Sequence, residues 1–228
     1  ASIIRGFNGF GFSATCISLI SFILPTIEIV PIILILEVLV SVFMIPYIWS
    51  KIDWKFVFQI LIGITIGTPI GLYLLKFLSP SITHLLICGI VIFFVILQIR
   101  GYSNKKINNL PVKILTGGVS GIVNGFGTLG GMPVSLFLLI TRVRPMIIRG
   151  SLAAIFFLTD AYAFGLSYLG GIVDLTVIYR ALILIPILPL GVFIGNKLFV
   201  KSKEETYRKF VFYFLIIISI IGIIKVTS

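Results

Sequence analysis

Residues 124–131 read Asn124-Gly125-Phe126-Gly127-Thr128-Leu129-Gly130-Gly131, and the same opening, Asn8-Gly9-Phe10-Gly11, stands near the start of the chain. Each patch interrupts an apolar run. In the second, residues 111–123 suit a short helix, the glycine-rich patch stops it, and Pro133 sits where a new helix begins, in the first turn that tolerates proline. Asn124 and Gly125 are the residue types that adopt the left-handed conformation ending a helix. Neither piece reaches the roughly 20 residues that cross a hydrocarbon core. The segment therefore reads as a broken helix or a hairpin that enters and returns.

The rest of the 228 residues supports a membrane setting. The chain is 59% hydrophobic and 11% charged, with mean hydropathy +1.22. A soluble domain carries about 25% charged residues, so a soluble function is excluded. Eight apolar segments follow one another, at 1–24, 29–49, 55–77, 80–99, 111–140, 146–168, 175–199 and 207–225. The polar linker 100–110 divides two pseudo-repeats, 1–99 and 111–228, within a single transmembrane domain.

Three landmarks recur in order in the two halves. Asn8 matches Asn124, Asp53 before the third segment matches Asp174 before the seventh, and Gly67-x-x-x-Gly71 matches Gly191-x-x-x-Gly195. Landmarks in register are evidence of duplication. The glycine pairs read as helix-packing motifs, and Pro69, Pro186 and Pro189 as kinks in the same helices.

Net charge is +11, from 18 Lys and Arg against 7 Asp and Glu, and it falls in short clusters between apolar runs. That pattern fits cytoplasmic loops and anionic lipid, and does not suggest nucleic acid. If segments one and five cross, the 18 basic residues divide nine against nine; if both return, they divide fourteen against four. The positive-inside rule favours the second count. It places both termini outside a multi-pass cell-membrane protein with six true spans. An odd number of crossings per half makes the repeats inverted. The expected fold class is thus an all-α integral membrane protein of two inverted pseudo-repeats, each a broken or re-entrant hairpin plus three transmembrane helices.

Non-helical backbone at membrane depth survives only where protein or water satisfies its polar groups. The two breaks are therefore the candidate site for a small anionic solute, because a starting helix offers free N–H groups and a partial positive charge. The candidate binding residues are Asn8, Gly9, Gly11, Ser13 and Thr15 in the first half, with Asn124, Gly125, Gly127, Thr128, Gly130 and Gly131 in the second. Arg149, early in the sixth segment, is placed to draw an anion in. Glu37 and Asp160 are acids within apolar segments, costly there and so functional by default, with proton coupling as the expected role. Arg5 suits either an external vestibule or a lipid phosphate. Cys16, Cys88 and His84 form no metal-ligand spacing, residues 201–209 read as a solvated loop, and neither a catalytic set nor a cofactor motif is present.

The layout resembles the TauE/SafE sulfite-exporter-like permeases. The resemblance is carried by the two Asn-Gly-Phe-Gly patches, the Lys51-Ile52-Asp53-Trp54 entry to segment three, Gly67-Thr68-Pro69-Ile70-Gly71, and Leu78-Ser79-Pro80. It implies transport of small sulfur-containing anions such as sulfite, thiosulfate or sulfonates, without a cofactor. A passive anion channel and a non-transport scaffold or enzyme subunit are the alternatives, and a homodimer is left open.

Overall fold

The computed structural model describes residues 1–20, 23–100 and 107–201, together with 213, 216, 217 and 220; the side chains of residues 8, 18, 80, 84, 95, 98 and 99 fall outside the description. Most of the expected eighth segment, most of the polar linker and the basic loop after residue 201 also lie outside the described residues. Those described form helices and no strand: α1 (Ser2–Asn8), α2 (Phe12–Ile20), α3 (Thr26–Ile48), α4 (Trp54–Phe77), α5 (Pro80–Ile99), α6 (Leu110–Gly127), α7 (Gly131–Ile140), α8 (Pro145–Leu169), α9 (Leu175–Leu184) and α10 (Ile187–Lys201).

Local chemistry sets the starts. Asp53, Ser79, Asn109 and Asp174 each accept from the backbone N–H three residues on, which satisfies one of the donors a helix start leaves free. Residues 26–51, α4 and α8 are each long and apolar enough to cross a membrane, and α9 with α10 makes a fourth span if the pair counts as one. That pair bends by 47° at Ile185 and Pro186, where proline removes a helical hydrogen bond. Large apolar side chains such as Phe58, Ile66, Tyr73, Leu115 and Leu190 remain exposed. On a water-soluble protein that much apolar surface would drive association; here it is surface for lipid. Trp49 and Trp54, 5.5 Å apart, mark the interfacial level at the start of α4.

Contacts between helix ends fix their directions. The backbone N–H of Asp53 donates to Ser151 Oγ, and Lys76 Nζ to the carbonyl of Gly170, so α4 and α8 run the same way. Gly150 packs on the carbonyls of Ile48 and Lys51, so α3 runs against both. Arg180 pairs with Glu28 at 2.6 Å, placing the middle of α9 beside the start of α3.

The broken helices lie in seams. Along α4, Gly63, Gly67 and Gly71 face the backbone of α6 from Ile114 to Phe126, while Gly117, Gly121 and Gly125 of α6 face α4 in return. Both numberings increase together, so α6 runs parallel to α4, and Lys113 Nζ meets Gln59 Oε1 at the shared start. After the break, α7 brings Phe137 onto Phe56, with ring centroids 5.7 Å apart. Phe56 is one turn from the start of α4, so α6 and α7 have their outer ends on the same side. In the second seam, Gly191 and Gly195 of α10 pack on Ser2, Ile3 and Phe7 of α1. Each half's glycine-paired helix thus lies against the broken helix of the opposite half, and α3 packs directly on α8.

Candidate functional site

At the first break, α1 ends on Gly9, in the left-handed region at φ 78°, where a Cβ would also press on the Arg149 backbone. Gly11 follows at φ 94° and α2 starts at Phe12. The start of α2 is not vacant. Ser13 donates to Glu37 Oε1 from both its backbone N–H (3.3 Å) and its Oγ (2.5 Å). One of the free N–H groups expected to hold a solute, that of Ser13, holds a carboxylate of the chain.

Arg5 completes this cluster. Its Nε lies 3.2 Å from Glu37 Oε2, its guanidinium donates to Gly9 O and to Ser41 Oγ (3.0 Å), and its Cζ lies 3.9 Å from the centroid of the Phe156 ring. Arg5 is 0% and Glu37 1% exposed. The expectation that Arg5 faces a vestibule or a lipid phosphate is therefore corrected. An ionised acid buried midway along α3 is costly without a cation beside it, and α1, packed against α10, supplies one from inside.

At the second break the boundary also moves. The helix does not stop at Val123: α6 continues through Gly127, and the left-handed residue is Thr128, at φ 55°, not Asn124 or Gly125. Gly121 and Gly125 are needed at helical spacing to seat α6 on α4, and that seam carries the helix one turn further. Asn124 still organises the break. Its backbone carbonyl accepts from Thr128 N–H (2.7 Å), its Oδ1 from Gly130 N–H (3.3 Å), and its Nδ2 donates to Asp160 Oδ1 (2.9 Å). Ser120 Oγ closes on Gly130 O at 2.6 Å. Each break is thus tied to the acid on the long helix that follows it, Ser13 to Glu37 and Asn124 to Asp160.

The two breaks meet. A small cavity of about 10 Å³ is walled by Gly11, Ser13 and Glu37 from one half and Thr128, Gly131 and Phe156 from the other. Such a space admits about one water. Phe156 links the halves: Arg5 lies over its ring, and its Cζ fills the place a Cβ on Gly131 would take. Asn124 and Gly130 are not on its walls; they hydrogen-bond each other next to the lining residues Leu129 and Gly131. Thr15 Oγ1 is spent on Gly11 O (2.8 Å). Gly9 packs on Arg149, Gly125 on α4 and Gly127 on Ile87, away from the cavity. The side chain of Asn8 is among those not described.

Arg149 is buried but turned elsewhere. It donates to Gly6 O (2.5 Å) and Asn196 Oδ1 (2.8 Å), with its guanidinium over Phe199, so it ties α8 to α1 and α10. A larger recess of about 600 Å³ opens where α4 and α8 begin, with Lys51 and Arg144 on its walls. Among the described residues no group of three His, Cys, Asp or Glu is placed to hold a metal ion.

Sequence reasoning missed Arg5, Ser41 and Phe156 as parts of the cluster. A signal for Arg5 existed, since an acid in a spanning segment needs a counter-charge, and Arg5 stands one turn before the first break. Nothing local marks Phe156 among 20 phenylalanines.

A family model described as sulfite exporter TauE/SafE matches residues 1–221. No curated protein and no solved structure matches the chain.

Proposed function

This chain belongs to the TauE/SafE sulfite exporter family of integral membrane proteins, and from that membership we propose that it is a secondary transporter of small sulfur-containing anions. The observation that carries the reading is the meeting of two interrupted helices, one from each half, around a single cavity beside a buried Arg5. Irregular backbone and a buried cation are both costly within a membrane and persist where a solute is handled.

The architecture we infer is a pair of inverted repeats, 1–99 and 111–228, related about the α3–α8 contact. Its support is the reciprocity of the seams: α4 on α6, α10 on α1, with α3 opposed to α8 and α4 opposed to the α9–α10 pair. In such a plan the site sits where the repeats meet, and rocking of one half on the other alternates access. The cavity then belongs to a closed state, too small for a polyatomic anion. Gly11, Ser13, Thr128, Gly130 and Gly131 line the path, glycine letting backbone N–H groups approach the solute closely. The recess with Lys51 and Arg144 serves as the cytoplasmic entrance. Arg149 holds the halves together, and Asp160 is the second acid available to a coupling proton. Both termini lie outside, at the plasma membrane.

The test is uptake of labelled sulfite, thiosulfate and methanesulfonate into proteoliposomes, with and without a pH gradient. Saturable uptake of at least one anion that responds to the gradient is expected. Flux of all three no greater than in protein-free vesicles overturns the reading. Unsaturable flux that ignores any gradient replaces it with a channel.

A further inference from the structure

We propose that Glu37 is a tethered stand-in for the transported anion, and that Arg5 with Ser13 forms the oxyanion-binding point which the solute takes over by displacing the Glu37 carboxylate. The inference rests on the transporter reading above and deepens it.

The first ground is that the site already holds an oxyanion. A carboxylate sits at the start of α2, receiving a backbone N–H and a hydroxyl from Ser13 and facing Arg5 Nε. A sulfonate or sulfite presents the same ligand type, negatively charged oxygens on a small central atom, to the same donors. The second ground is space. Glu37 is itself a wall of the cavity, which holds about one water. A polyatomic anion fits only if that carboxylate leaves.

Charge supplies the third ground. Arg5 is fixed from four directions, by Gly9 O, Ser41 Oγ, the Phe156 ring and Glu37. Of these only Glu37 is anionic; Asp160 acts on Arg5 more weakly and is held by Asn124, and a buried guanidinium cannot be left without its contacting counter-ion. Its counter-ion is therefore exchanged, Glu37 when the site is empty and the solute when it is loaded. Among the described residues, the charged and titratable side chains around Glu37 are Arg5 from α1, Cys16 from α2 and Asp160 from α8. Arg149 acts on Arg5 from further off and is committed to Gly6 and Asn196. A displaced Glu37 thus finds no second cationic side chain free among the described residues and takes one proton from the aqueous phase, carboxylate becoming carboxylic acid. One monovalent anion and one proton enter together, and the buried charge is unchanged.

The experiment is equilibrium binding of methanesulfonate to the purified full-length protein across the neutral range, where this probe keeps a single negative charge. Wild-type affinity is expected to rise as pH falls, because protonation removes the tethered competitor. E37Q cannot ionise; its affinity should be flat with pH and roughly tenfold tighter at neutral pH, the occupancy of the site by Glu37 having been lifted. R5A should lose binding and R5K recover part of it, a rescue that a purely structural Arg5 would not give. If E37Q is not monodisperse, E37D takes its place: its shorter arm should weaken the hold on Ser13 and tighten binding while keeping the pH dependence. Wild-type affinity and pH dependence in a folded E37Q, or unaltered affinity in E37D, overturn the inference while leaving the transporter reading intact. Failure of the wild type to bind methanesulfonate, sulfite or thiosulfate at any pH overturns both.

Discussion

At the scale of single residues, the site is decided by what each side chain forbids. Gly131 stands at the first turn of α7 with the tip of the Phe156 ring where a Cβ would be, and Arg5 lies over a face of that ring. A Val at position 131 has to move Phe156, and with it the support of the guanidinium. Overpacking of this kind costs about 1–3 kcal/mol, which is tolerable for a membrane protein that still inserts. The G131V variant is therefore expected to purify with a lowered melting temperature and to lose anion uptake. Uptake at the wild-type rate would show that the ring's position is irrelevant to transport. Residues 124–131 announced themselves in the sequence because consecutive glycines inside an apolar run have few bland explanations. Phe156 did not, being one aromatic in a segment full of apolar residues, and its role comes wholly from Arg5 over its face and Gly131 at its tip.

At the scale of helices, the glycines divide into two kinds that look alike in the sequence. Gly63, Gly67 and Gly71 of α4 and Gly117, Gly121 and Gly125 of α6 let two backbones close to contact, whereas Gly165 of α8 has nothing within 4 Å of where its Cβ would lie. Without a hydrophobic drive between helices in lipid, such close packing is what joins them. G121L should force α6 off α4, collapsing the yield of monodisperse protein, since its side chain would meet the Ile64 and Thr68 backbone. G165A should be neutral, or stabilising by up to about 1 kcal/mol through helix propensity. Equal thermal stability of G121L and wild type in detergent would sink the seam as a stabilising element. The GxxxG spacing in α4 and α10 was readable as packing from sequence, and the structure places both against broken helices. The extension of α6 to Gly127 was not readable, because it depends on packing against α4, a helix distant in the chain.

At the scale of the molecule, direction is the testable quantity. The shared end of α4 and α8 carries Lys51, Lys55, Arg142 and Arg144, and the opposite end carries Lys76 and the start of α9. The positive-inside rule assigns the first end to the cytoplasm. In a background with Cys16 and Cys88 replaced, S50C should react with a membrane-impermeant thiol reagent only after permeabilisation. L175C, at an exposed position opening α9, should react in intact cells. The reverse pattern would invert the orientation, and labelling of both from one side would break the assignment of α4 and α8 as spans.

The sequence by itself determined the solvent, the helical class, the existence of two interruptions and the two acids behind them. Each of these follows from composition or from a residue type whose backbone or charge is costly in lipid wherever it stands. What only the tertiary structure decided is what those costly features do to one another. Glu37 is read differently once Arg5 and Ser13 are seen holding it, and the helix start becomes an occupied anion site, not a vacant one. A counter-charge can come from any part of the chain that folding brings near, so its identity is a property of packing and is not written in the neighbouring residues.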